Sequence, residues 1–125
     1  MNDTCQVWNK RKTYIKIAIA MRTPVIFLND NNYYLCQLDE LRTFQNSMPE
    51  IPYRRDIGDC DNYAFALKGI ADSKTNAVGI IIGKHKGEAH AWNIALTVSG
   101  IWQIEPQTDL IFKKYADYQP MIVLI

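Results

Sequence analysis

Apolar residues along the chain change period near its middle, from helical spacing to alternation, and this predicts helices first and strands second. Trp8 to Met21 reads two ways. Ile15, Ile17, Ile19 and Met21 alternate as in a strand, whereas Ala18 and Ala20 suit a helix equally well. Val25 to Leu28 is a short β-prone run. The Asn29-Asp30-Asn31-Asn32 turn signal follows it, and Tyr33 to Cys36 is expected to return as its hairpin partner. Leu38, Leu41 and Phe44 recur at helical spacing and predict a helix over Leu38 to Asn46. Met48 to Ile57 carries Pro49 and Pro52 and reads as a loop.

The second half begins with Asp59, a suitable N-cap for a helix starting at Cys60. Tyr63, Ala66, Leu67 and Ile70 line one face of that helix, and Gly69 or Asp72-Ser73 ends it. Strand-like segments follow at Ala77 to Ile82, Ala89 to Val98 and Ile101 to Glu105, the last two joined by a tight Ser99-Gly100 turn. Lys84 to Glu88 reads as a polar loop, and Met121 to Ile125 as a final apolar strand, central or well covered. The order predicts an α+β fold, with a helix packed on a mostly antiparallel sheet, in a single domain over residues 1–125.

Composition narrows the function classes. The net charge is +1, which removes any global electrostatic case for nucleic acid or an anionic membrane. Lys10-Arg11-Lys12 is too short a basic run to restore one and reads as a solvated face. No apolar stretch approaches the roughly 18 residues that span a bilayer. Residues Met1 to Lys12 are polar, unlike a signal peptide, so a cytoplasmic location is expected. Cys5, Cys36 and Cys60 are odd in number and unclustered, which fits a reducing compartment better than a disulfide scaffold. No CxxC or HxxxH spacing suggests zinc.

The candidate chemistry centres on Cys60. A thiolate is the nucleophile of cysteine hydrolases, and unpaired N–H groups at a helix start favour an anion. Of the two histidines, His85 lies between Lys84 and Lys86, where a surface role is expected. His90 opens an alternating strand on the same face as Trp92, so it is the candidate base, placed at the lip of a sheet across from the helix start. Glu105 closes the next strand and comes near His90 across the hairpin, close to in register. It would fix the imidazole tautomer, with Gln107 or Asp109 as alternative orienters.

At these residues the sequence resembles a known family. Asp59-Cys60-Asp61-Asn62-Tyr63-Ala64, Ala89-His90-Ala91-Trp92-Asn93 and Ile104-Glu105-Pro106-Gln107-Thr108 are similar to motifs of the agglutinin C-terminal domain family, papain-like cysteine peptidases known from one half of a fungal chimeric lectin and from small bacterial and phage proteins. The similarity covers about residues 51 to 125 and is weaker from Val25 to Phe44. It implies a papain-like minimal core with nucleophile Cys60, base His90 and orienter Glu105. It also implies calcium as a possible cofactor, with Asp61 and Gln107 at matching ligand positions and Asn93 as a helper. One feature departs from the papain-like pattern. Tyr53 to Gly58 contain no Gln to serve as oxyanion donor, and loss of one such donor costs about 100- to 1,000-fold in rate. Tyr53 or a backbone N–H would have to substitute. Tyr53, Trp92 and Gln107 are thus the candidates for substrate contact or oxyanion donation.

The expected function is a small thiol hydrolase, a peptidase or amidase acting on a peptide or amide substrate. Transglutaminase-like acyl transfer is the same chemistry with an amine acceptor. The alternative is a catalytically weak or inactive member of the same fold that acts as a binding protein, favoured by the missing Gln and the small size.

Overall fold

A computed structural model describes residues 6–52, 54–55 and 59–125. The ambiguous first segment resolves into a short strand β1 (Val7–Asn9) and a helix α1 (Lys10–Met21). Asn9 decides the matter locally, because its Oδ1 accepts the Lys12 N–H at 2.8 Å and caps the helix. Thr13, Ile17 and Met21, spaced at four residues, form the buried stripe, and the helix stops at Arg22 in the left-handed conformation. The apparent alternation was misleading because Ile15 and Ile19 point to solvent.

The segments on either side of the Asn-rich turn do not form a hairpin with each other. β2 (Ile26–Phe27) pairs in parallel with the last strand, β8 (Tyr118–Leu124), while β3 (Asn32–Tyr34) pairs antiparallel with β1. The helix α2 (Leu38–Asn46) matches its predicted span, its start closed by Gln37 N–H donating to Glu40 Oε1 at 2.8 Å. The helix α3 (Cys60–Asp72) begins at the cysteine, with the Asp59 N–H donating to Asn62 Oδ1 at 3.2 Å.

β4 (Val78–His85), β5 (Glu88–Thr97), β6 (Gly100–Glu105) and β7 (Leu110–Phe112) complete a six-stranded sheet of order β2-β8-β4-β5-β6-β7. Every pairing in it but β2–β8 is antiparallel, as expected of the α+β class. The predicted Lys84–Glu88 loop is instead a two-residue turn. His85 pairs with Glu88 across Lys86 (φ 52°) and Gly87 (φ 80°), the conformation that a type I′ hairpin needs and that glycine accepts without strain.

The sheet separates two layers. On one face Ile80, Ala91 and Ala64 of α3 cluster together, and Asn93 Nδ2 donates to Ala64 O at 2.9 Å and to Gly79 O at 3.0 Å. On the other, the end of α1 lines a cleft with Gln103 and Tyr118. Trp92 is fully buried on that side, its Nε1 donating to Gln103 Oε1 at 2.8 Å. Among the described residues no helix is long and apolar enough to cross a membrane.

Between Ile82 and Gly83 the β4–β8 register shifts. Gly83 is required there. A Cβ would lie 2.1 Å from the carbonyl oxygen of Gln119 and 3.0 Å from the Trp92 ring, and backbone cannot yield as a side chain could. Gly83→Ala is therefore expected to destabilise the fold by on the order of 1–3 kcal/mol, measured by denaturant unfolding; an unchanged midpoint would contradict this packing.

Candidate active site

Glu105 is 3% exposed, and a buried carboxylate demands partners. It has three. His90 Nε2 bonds its Oε1, Tyr118 Oη donates to the same oxygen at 3.1 Å, and the Gln107 backbone N–H donates to Oε2 at 3.3 Å. The Asn93–Ile104 pairing puts Glu105 level with Trp92, so His90 meets it on the diagonal rather than directly opposite. With Nε2 engaged, Nδ1 is the ring nitrogen left for a substrate or a thiol. His90 lies over Trp92, ring centroids 5.7 Å apart, and beside His85 at 5.3 Å. Burial, and then the negative charge of Glu105, push the Tyr118 hydroxyl well above its usual range, which keeps it a donor.

Cys60 is the first residue of α3, half-buried, and packs against Ala64, Ile80 and Ala91. That cluster lies on the face of β5 that carries Ala91 and Asn93. Ala91 and His90 point to opposite faces of β5, and among the described residues no hydrogen bond joins Cys60 to His90. The structure brings His90 and Glu105 together, while Cys60 packs on the opposite face of the sheet, with Ala64, Ile80 and Ala91.

The remaining sequence candidates separate. Tyr53 lies outside the described residues. Trp92 is a core residue and not a substrate contact, since its fully buried ring is committed to Gln103. Gln107 and Asp109 do not orient His90 by their side chains. Both line a cleft of about 440 Å³ between the Met48–Pro52 loop and the turn after β6, with Tyr63 of α3 on its wall. Asn93 is buried and ties α3 to the sheet through its Nδ2, while its Oδ1, the atom calcium would take, has no hydrogen-bond partner among the described residues. Asp61 shares a hydrogen bond with Asp59 that raises its pKa, so two carboxylates stand side by side at the start of α3. Two carboxylates supply a small part of the six to eight oxygens that calcium takes.

Two residues that matter here were not singled out from the sequence. Tyr118 supports Glu105. His85, expected on the surface, stacks on Tyr118 at 3.9 Å and its Nε2 meets Asp117 Oδ2 at 3.3 Å. The signal was the Lys86-Gly87 pair. Read as a two-residue turn, it would have extended β4 to His85 and carried both histidines onto one face.

Cys36 contrasts with Cys60. It is buried, its thiol meets Leu96 O at 3.4 Å, and burial, with Glu40 nearby, pushes its pKa up to about 12. Alkylation needs thiolate, so iodoacetamide at pH 8 should spare Cys36 in the folded chain and modify it only in denaturant, read by peptide mass spectrometry. Native labelling of Cys36 would contradict this. Asn93→Ala, which removes both bonds from α3 and β4, is expected to cost about 1–3 kcal/mol by thermal or denaturant melting.

No protein-family model matches the chain, and no curated protein matches it. Solved structures do. The PSL1a-E64 complex aligns with TM-score 0.81 and 20% identity over 95% of this chain and 50% of that one. Polyporus squamosus lectin bound to the human-type influenza-binding epitope Neu5Aca2-6Galb1-4GlcNAc aligns with TM-score 0.79 and 20% identity over 95% and 49%. The chain thus spans about half the length of these structures, and at this identity the likeness is one of fold.

Proposed function

We propose that the chain is a thiol hydrolase of papain-like plan acting on a peptide or amide. The observation that carries this reading is the buried Glu105 holding His90 by Nε2, in a chain whose Cys60 opens helix α3. The motif resemblance around Cys60, His90 and Glu105 supports it. In the proposed reaction His90 Nδ1 accepts the Cys60 proton as Sγ attacks the substrate carbonyl. Glu105 keeps the ring oriented and stabilises the imidazolium. Backbone N–H groups at the start of α3 are the oxyanion donors at hand, in place of the missing Gln. The imidazolium then protonates the departing amine, leaving a thioester. Water, deprotonated by the same nitrogen, hydrolyses the thioester; an amine in its place gives acyl transfer. The cleft lined by Pro106, Gln107 and Tyr63 adjoins the chain neighbours of Glu105 and Asn62, which supports its use for substrate in this reading.

A second reading is a binding protein on the same fold. It is favoured by the absence of a hydrogen bond between Cys60 and His90 among the described residues, and by the neighbouring lectin that carries a sialylated sugar. The two readings separate on the thiol. The hydrolase reading expects Cys60 to be alkylated by iodoacetamide faster than an ordinary thiol at neutral pH, and His90→Ala to remove the excess rate. It also expects Glu105→Gln to depress turnover of a peptide or amide substrate by up to about 10⁴-fold. Cys60 reactivity indifferent to His90, together with saturable binding of Neu5Aca2-6Galb1-4GlcNAc in an NMR titration, would establish the binding reading instead.

A further inference from the structure

His85, His90 and Glu105 each offer a ligand atom, and these atoms all lie within 4.8 Å of one another. Sequence spacing hides the set, because its members come from the end of β4, the start of β5 and the end of β6. The hairpin turn at Lys86-Gly87 and the diagonal across β5 and β6 bring them together. Two imidazoles and a carboxylate are the ligand types that zinc and its neighbours in the first transition row take, with a fourth position left to water or another ligand. Ligands at about 2.0–2.1 Å from zinc stand within roughly 4 Å of each other. A shift of under about an ångström closes the set, and the His85 side chain, 25% exposed, has room for it.

The surroundings match what holds such ligands. A metal-bound imidazole usually donates its other N–H to a carboxylate, which fixes the ring. His85 Nε2 lies 3.3 Å from Asp117 Oδ2, leaving Nδ1 for a metal, and Tyr118 both stacks on His85 and donates to Glu105. Glu105 and Asp117 bring two negative charges to balance a divalent cation.

We propose that His85, His90 and Glu105 form a binding site for a divalent transition metal of the zinc class. A metal seated there replaces the proton shared by His90 and Glu105 and releases it. On the hydrolase reading, on which this consequence alone rests, the metal withdraws the base from Cys60 and silences the thiol. Metal binding itself does not depend on that reading.

The test uses the full chain carrying Cys60→Ser, which cannot act as a thiol hydrolase. The metal-free protein is titrated with Co²⁺ and followed by visible d–d absorption, then challenged with Zn²⁺. A saturable Co²⁺ spectrum is expected, displaced by Zn²⁺ and abolished by His85→Ala. Asp117→Asn, which removes the carboxylate partner but no ligand, should weaken binding by roughly 10- to 100-fold. Circular dichroism confirms that each variant is folded. No saturable spectrum, or one unchanged in folded His85→Ala, overturns the site. If His85→Ala does not fold, Asp117→Asn decides, and an unchanged affinity there overturns it.

Discussion

The buried carboxylate of Glu105 is the constraint on which the rest of the site depends. Leaving such a charge without partners costs about 3–5 kcal/mol, so the chain must deliver donors to it. They come from three places: His90 on β5, Tyr118 on β8 and the backbone of Gln107 after β6. Satisfying one side chain therefore aligns the ends of several strands of the sheet. The same requirement sets the imidazole by its Nε2 and presents Nδ1, so the polar demand of the core and the chemistry of the site have a common origin.

The strand β5 then divides the work between its two faces. His90 and Trp92 stand on one, with the aromatic rings of His85 and Tyr118 around the imidazole. Ala91 and Asn93 stand on the other, and there Asn93 fastens α3 while Cys60 packs against the cluster that includes Ala91. The nucleophile candidate thus packs on the face of the sheet opposite the one that carries the base candidate. Gly83, opposite His90 in β4, lets β8 approach closely at the register shift that follows Tyr118 and Pro120 along β8.

Much of this was legible in the sequence where the determinants are local. The α2 span follows from Leu38, Leu41 and Phe44, and the start of α3 from Asp59. The hairpin holding His90 and Glu105 follows from alternation and the tight turn after Val98. What was not legible rests on contacts distant in the chain. Ile26–Phe27 looked ready to pair with the nearby Tyr33 segment, yet finds β8 almost a hundred residues on, as the Ile26–Val123 pairing shows. Tyr118 and His85 meet across β4 and β8 beyond a register shift that no periodicity records. Trp92 shares the His90 face, as alternation requires, but the tight packing on that face makes it core and not groove wall.

The chemistry of the site turns on Glu105 holding His90 by Nε2 and leaving Nδ1 free of that bond. The most direct measurement is the His90 tautomer in the metal-free chain, from long-range ¹⁵N–¹H NMR of the imidazole. A protonated Nε2 is expected, with a strongly downfield, slowly exchanging proton that moves upfield in Glu105→Gln. A neutral ring protonated at Nδ1, with Nε2 shifts indifferent to Glu105, would contradict it.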